Sequence, residues 1–282
     1  MSTAVVIGSD AGTPARVGDG SPLLVIAGPC VIESASETLR TAAALADICR
    51  ELELGFVFKS SYLKDNRTAI DSFVGPGIDD GLRVLQRVRE EIGVPVLSDV
   101  HERDEIPAAA QVLDVLQIPA FLCRQTRLLT DAARTGRCVN VKKGQFLSPD
   151  EVEHLVRKYE SCGSGGLLVT ERGTSFGYGN LVVDMRSLAI LRRYGHPVVF
   201  DVTHSLQRPG GAGRETGGER EFAPLMARAA CAAGVEALFL EAHPEPARAL
   251  SDKHTQIPLE AVRDLLHSAR AFHALRQRVA PS

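Results

Sequence analysis

Eight short, near-continuous apolar runs recur along the chain, at residues 23–27, 56–59, 95–98, 115–119, 139–142, 167–170, 197–200 and 237–240. A strand with one wet face alternates apolar and polar residues. An unbroken apolar run needs cover on both faces, as parallel strands beneath helices have. Helical patterns fill the gaps, at residues 36–52, 79–91, 103–111, 127–135, 149–159, 184–193 and 221–233, and a last one follows at 258–275. Pro149 with Asp150 and Glu151 opens one helix, while Gly55, Gly93, Gly136, Gly195 and Gly234 each follow another. Eight strands alternating with eight helices, without a composition break, predict an α/β fold, a single (β/α)8 TIM barrel over residues 21–282. A short N-terminal extension, residues 1–20, is rich in Gly, Ala, Ser and Thr and carries a hairpin signal around residues 4–7. The rival is an open doubly wound sheet, which more often has GxGxxG after its first strand. Here that strand ends in Gly28-Pro29-Cys30, and Pro29 lacks the backbone N–H such a phosphate loop uses.

Composition narrows the function classes. A formal net charge of -3 over 282 residues speaks against nucleic-acid and polybasic membrane partners, although a local cationic cluster is invisible in that total. No apolar run approaches the roughly 20 residues that span a bilayer, and the first twenty residues lack a signal-peptide pattern. The six cysteines show no CxxC spacing, so neither a disulfide framework nor a zinc ribbon is indicated, and a cytoplasmic protein is the simplest expectation.

Barrel chemistry collects where strands end and βα loops begin. Cations stand there after strands two, four, five and six: Lys59, Lys64, Arg67, Arg124, Lys142, Lys143 and Arg172. A lysine inside an apolar strand run, such as Lys59 or Lys142, is costly unless it meets an anion. The clusters at residues 64–67 and 142–172 suggest two phosphoryl groups, gripped by arginine forks and lysine point charges. Metal-ligand types stand at strands one, seven and eight, which adjoin only if the barrel closes: Cys30, His204, Glu241 and Asp252. Thiolate, imidazole and two carboxylates suit a borderline divalent ion such as Zn, Fe, Mn or Co. A packed core thiol and a satisfied histidine are the plainer reading of Cys30 and His204, and His101 and His243 are competing ligands.

The ordered motifs at residues 26–34 (Gly28-Pro29-Cys30), 58–62, 64–67 (Lys64-Asp65-Asn66-Arg67), 98–102, 117–122, 140–146, 171–173, 176–178, 201–205 and 241–246 (Glu241-Ala242-His243-Pro244) closely resemble the 3-deoxy-D-manno-octulosonate 8-phosphate synthase family. The resemblance covers nearly everything after the leading arm. It implies condensation of phosphoenolpyruvate with D-arabinose 5-phosphate and water in lipopolysaccharide biosynthesis, by a cytosolic homotetramer. It further implies phosphoenolpyruvate binding by Lys59, Gln117, Lys142, Lys143 and Arg172. Pentose phosphate would be bound by Asn66, Arg67, Thr68 and an Arg124 supplied by a neighbouring subunit. Lys64 would sit between the substrates, with Asp99 as a hydrogen-bonding partner; with His204 and Asp252 these two make up the expected catalytic set. Cys30 resembles the metal-dependent branch of the family, with His204, Glu241 and Asp252 as the other ligands. Arg127, Thr68-Ala69 and Lys253-His254 depart from the family pattern.

Four other readings compete. A 3-deoxy-arabino-heptulosonate 7-phosphate synthase would take erythrose 4-phosphate, and a sialic-acid-type synthase would take a sugar without the phosphate this rim can bind. A class I aldolase would form a Schiff base on Lys59 or Lys142, and a sugar-phosphate sensor would bind without turnover.

Overall fold

The computed structural model describes residues 2–8, 12–18, 20–67, 69–212 and 215–279. In chain order the strands are the hairpin β1 (Val5–Ile7) and β2 (Ala15–Val17), then β3 (Leu24–Gly28), β4 (Gly55–Lys59), β5 (Val96–Asp99), β6 (Val115–Ile118), β7 (Cys138–Lys142) and β8 (Leu167–Glu171). A second hairpin, β9 (Thr174–Phe176) and β10 (Asn180–Val182), precedes β11 (Val198–Asp201). A third, β12 (Gln207–Ala212) and β13 (Glu215–Gly218), precedes β14 (Ala237–His243) and the short β15 (Ile257–Pro258). The helices are α1 (Ala35–Glu51), α2 (Ile78–Arg87), α3 (Ile106–Val112), α4 (Thr126–Arg134), α5 (Val152–Glu160), α6 (Met185–Arg192), α7 (Ala223–Ala233) and α8 (Leu259–Val279).

Strands β3 to β8 pair in parallel and in sequence. Closure comes from β11, which pairs with both β8 and β14, and from β14, which pairs with β3 over Ala237↔Leu24 to Glu241↔Gly28. The predicted (β/α)8 barrel is therefore the observed one, and each expected run falls within a residue or two of a strand.

Period-two alternation explains why the runs look unbroken. Outward residues such as Val25, Phe58, Val96, Leu116, Val141, Val169 and Phe200 pack in one cluster with apolar residues of the helices. Inward residues Leu24, Ile26, Val57, Leu97, Val115, Cys138, Leu168, Val199, Ala237 and Phe239 form a second cluster, which Val5, Ile7, Ala15 and Val17 of the first hairpin complete. The hairpin thus packs against the inward residues of the barrel's lower half. One inward step further along, the residues become polar: Lys59, Asp99, Gln117, Asn140, Lys142, Thr170, Asp201 and Glu241, all buried.

Gly28 is required by close approach. A Cβ there would lie 2.0 Å from the Lys59 carbonyl oxygen, so only glycine lets β3 end against β4 with Cys30 beyond it. Among the described residues, no helix is long and apolar enough to cross a membrane.

Candidate active site

The polar end of the barrel opens into a cavity of about 760 Å³, of the size that takes small-molecule ligands. Its wall includes ten of the expected residues: Lys59, Lys64, Asn66, Arg67, Asp99, Gln117, Lys142, Arg172, His204 and Asp252.

A row of hydrogen bonds fixes one side. Ser61 Oγ and Gln117 Nε2 both donate to Asp99, each at 2.5 Å; Asn140 Nδ2 donates to Gln117 Oε1 at 2.8 Å, and Thr170 Oγ1 donates to Asn140 Oδ1 at 2.7 Å. The row runs across β5, β6, β7 and β8 through their inward positions, so no member is free to rotate without stranding another. Lys64 Nζ sits 3.4 Å from Asp99. Burial raises the Asp99 carboxyl pKa, but Lys64 and Lys59 more than reverse this and hold it well below the usual range. Burial likewise disfavours the Lys64 ammonium, and the surrounding Cys30, Asp99, Glu241 and Asp252 outweigh it, leaving Lys64 raised and cationic.

Opposite, Lys142 pairs with Asp201 and lies 3.1 Å from the centroid of Phe239. Burial pulls Lys142 down to about 8, with Asp201 opposing. Asp201 also faces His204, whose Nδ1 is 2.9 Å away, and the contacts with His204 and Lys142 hold its carboxyl well below normal against the effect of burial. The other ring nitrogen of His204, Nε2, lies 3.6 Å from Glu241.

The buried Cys30 Sγ, a Glu241 oxygen and an Asp252 oxygen lie within 4.8 Å of one another, and His204 adjoins this group through Glu241. Cys30 Sγ is 3.1 Å from both Ser251 Oγ and Asp252 Oδ2. Burial pushes the Cys30 thiol well above its usual value, and the Glu241 carboxylate adds to this. Asp252 lies at about 2, because His204 and Lys64 outweigh its burial. It also adopts a left-handed backbone with φ 46, rare for a residue with a Cβ and characteristic of functional sites. Glu241 Oε2 is buried and has no hydrogen-bond partner among the described residues. A bare carboxylate oxygen beside a thiol and a second carboxylate fits a divalent cation, which would supply the missing partner and favour the thiolate. His243 does not belong to this group: its Nδ1 accepts from Glu245 N at 3.0 Å, so its ring proton sits on Nε2, toward Glu37.

Two arginines carry open donors on the cavity wall. Arg67 Nη1 donates to Ser251 Oγ at 2.7 Å, while its buried Nε has no partner among the described residues. Arg172 Nη2 donates to Gln207 Oε1 at 2.6 Å, and its buried Nη1 likewise has none among the described residues. Burial lowers the Arg172 pKa from its very high ordinary value, opposed by Asp201 and Asp252.

Three expected residues stand apart. Lys143 is a correction: it is fully buried off the cavity, donating to the Leu147 carbonyl and Thr174 Oγ1, each at 3.1 Å, with Glu171 3.5 Å away. One residue beyond the inward Lys142, it takes the opposite face. Arg124 lies outside the cavity wall, exposed, with Glu151 3.9 Å away. Thr68 falls outside the described residues. The cationic and metal sectors also prove to interlock, since Lys59 Nζ is 2.7 Å from Glu241. Sequence reasoning missed Ser251 and Gln207; neither residue type signals a site by itself, although each lies within three residues of an expected ligand.

A profile of the DAHP synthetase I family matches residues 5–276. The chain belongs to this family. Its DAHP synthetase I relatives include a 2-dehydro-3-deoxyphosphooctonate aldolase of Trichlorobacter lovleyi, 54% identical over 260 residues, which are 92% of this chain and 96% of the relative. Proteins of that same name from Alkalilimnicola ehrlichii and Acidithiobacillus ferrooxidans are 55% and 56% identical, covering 90% and 87% of this chain and 91% and 87% of theirs. In this DAHP synthetase I barrel, the rim residues shared out among eight strands are thus read in the company of relatives that align over nearly their whole length.

Proposed function

We propose that the chain condenses phosphoenolpyruvate with D-arabinose 5-phosphate and water, giving 3-deoxy-D-manno-octulosonate 8-phosphate and inorganic phosphate for lipopolysaccharide biosynthesis. The observation that carries this reading is the pair of buried arginine donors without a partner among the described residues, Arg67 Nε and Arg172 Nη1, on the wall of one cavity. Buried guanidinium N–H groups without partners are anion sites in waiting. The names of the relatives at 52–56% identity favour the octulosonate product over the heptulosonate one.

Lys142, Arg172 and Gln117 hold the phosphate and carboxylate of phosphoenolpyruvate, with Lys59 beneath them. Asn66 and Arg67 hold the pentose phosphate, so that the enol C3 faces the aldehyde carbon and the encounter is oriented in advance. C3 attacks that carbon; a new C–C bond forms as the aldehyde oxygen becomes an alkoxide and C2 becomes cationic. Lys64, kept cationic by its anionic surroundings, donates a proton to this strongly basic oxygen while Asp99 fixes its position. Water adds at C2 and gives up one proton, which restores the Lys64 ammonium; the hemiketal phosphate then collapses by C–O cleavage, its hydroxyl proton leaving with the phosphate.

Cys30, His204, Glu241 and Asp252 would hold a divalent ion of Zn, Fe, Mn or Co. Such an ion supplies Lewis acidity to the aldehyde or the water. The bare Glu241 oxygen and the placement of His204 Nε2 3.6 Å from Glu241 support this donor set. A cytoplasmic homotetramer is the assembly proposed. It is supported by exposed aromatics, Phe121 shortly before Arg124 and Phe176 and Tyr178 at the β9–β10 hairpin, and by six cysteines without a disulfide among them.

The test is phosphate release from phosphoenolpyruvate with arabinose 5-phosphate or erythrose 4-phosphate, with and without chelator. Turnover with the pentose phosphate, abolished by chelation and restored by added metal, is expected. Turnover with erythrose 4-phosphate alone refutes the substrate, and turnover that survives full metal removal refutes the ion. The lowered Lys142 raises a second reading, a Schiff-base aldolase. Borohydride with substrate then labels Lys142; an unlabelled lysine excludes it.

A further inference from the structure

Gln207 begins the β12 hairpin and belongs to neither ligand set proposed above, yet both ends of its side chain are committed. Its Oε1 accepts from Arg172 Nη2 at 2.6 Å, and its Nε2 donates to Asp252 Oδ1 at 2.7 Å. The amide therefore joins a guanidinium of the phosphate-binding wall to a carboxylate of the Cys30 group. Each partner keeps one polar atom for other work. Arg172 Nη1 is buried without a partner among the described residues, and Asp252 Oδ2 faces Cys30 Sγ at 3.1 Å.

We infer that Gln207 is a positioning residue that couples occupancy of the phosphate site at Arg172 to metal binding at Asp252. This rests on the metal reading above. Only a group with an acceptor at one end and a donor at the other bridges this cation and this anion with both hydrogen bonds correctly polarised. A carboxylate at residue 207 satisfies Arg172 but turns an oxygen toward Asp252. An apolar chain of equal length satisfies neither.

Coupling follows from the shared bridge. An ion held by Asp252 Oδ2 fixes the Asp252 side chain, and with it Gln207 and the rotamer of Arg172. Phosphoenolpyruvate then meets a guanidinium already aimed and loses less freedom on binding. Linkage requires the reverse effect to be equal: bound phosphoenolpyruvate tightens the metal by the same factor. Gln207 also roots a hairpin whose Pro209, Gly210 and Thr216 line the cavity mouth, so the same bridge anchors the base of that wall.

The experiment is titration calorimetry of Co²⁺ into metal-stripped enzyme, with and without saturating phosphoenolpyruvate, for the wild type, Gln207→Met and Gln207→Glu. The cobalt–thiolate absorption band serves as an independent readout of the ion's site. The wild type should bind Co²⁺ about fivefold or more tightly when phosphoenolpyruvate is present, the lower end of ordinary coupling. Both variants should keep the absorption band, because no proposed ligand has changed, while the coupling factor falls to about one. Gln207→Glu should in addition bind phosphoenolpyruvate more weakly than Gln207→Met, since it brings an anion to Arg172. Coupling that persists in Gln207→Met, or a wild type that binds both ligands independently, overturns the inference and leaves the metal reading intact. A wild type that takes up no cobalt refutes both.

Discussion

Replacing Lys59 by methionine isolates the contact in which the two sectors of the site meet. Lys59 and Glu241 side chains are 1% and 0% exposed, with Nζ and Oε1 2.7 Å apart, so solvent screening does not dilute the pair. Methionine keeps the length of the stem and removes the charge. Removing one partner of a buried ion pair costs about 3–5 kcal/mol, because the other charge is left uncompensated. Losing the bond from Nζ to the Cys30 carbonyl, 2.9 Å, adds roughly 1 kcal/mol. Metal-stripped Lys59→Met should therefore be destabilised by about 5 kcal/mol in urea unfolding. With a saturating divalent ion the cation beside Glu241 is replaced rather than lost, and the deficit should shrink by about 2 kcal/mol. The same difference appears as tighter binding: about 2 kcal/mol corresponds to an ion held on the order of 30-fold more tightly by the variant than by the wild type. An equal destabilisation in chelator and in metal would show that no ion shares Glu241 with Lys59, and the argument for that site would fail.

Three further outcomes follow from the same geometry. Arg172→Lys keeps the charge but loses the fork, so kcat/KM for phosphoenolpyruvate should fall about 10- to 100-fold, as expected for one charge-assisted hydrogen bond; an unchanged value would remove Arg172 from the substrate. Lys142, at about 8, is cationic below that pH, and anion binding favours its protonated form. Phosphoenolpyruvate affinity should therefore be flat at lower pH and decline above about 8, approaching tenfold per unit, with proton uptake on binding near pH 8; affinity unchanged up to pH 9 contradicts this. Cys30→Asn removes the soft donor and should weaken Co²⁺ binding and abolish the thiolate band, whereas a retained band would mean that the thiolate ligand is another cysteine.

The barrel was legible because eight covered parallel strands leave an apolar signature that no loop can imitate, and most of the site was legible because barrels expose chemistry at strand ends. Lys143 shows where that reasoning stops. Adjacent lysines look alike in sequence, but alternation sends Lys142 into the cavity and Lys143 into a nest of carbonyls. The hairpins of β9–β10 and β12–β13 left no such trace, being short, exposed in part and rich in glycine. Gln207 and Ser251 gain their meaning from Arg172, Arg67 and Asp252, contacts that exist only once distant loops meet. Closure of β11 and β14 onto β3, by contrast, could be anticipated, since Cys30, His204 and Glu241 converge in no open sheet of this order.

The condensation itself is tested most directly with phosphoenolpyruvate carrying ¹⁸O in its bridging position, mixed with arabinose 5-phosphate and the metal-loaded enzyme. Attack by C3 followed by C–O cleavage predicts an eight-carbon phosphorylated sugar acid and inorganic phosphate that retains the ¹⁸O. Phosphate free of the label, or label release without an eight-carbon product, would contradict it.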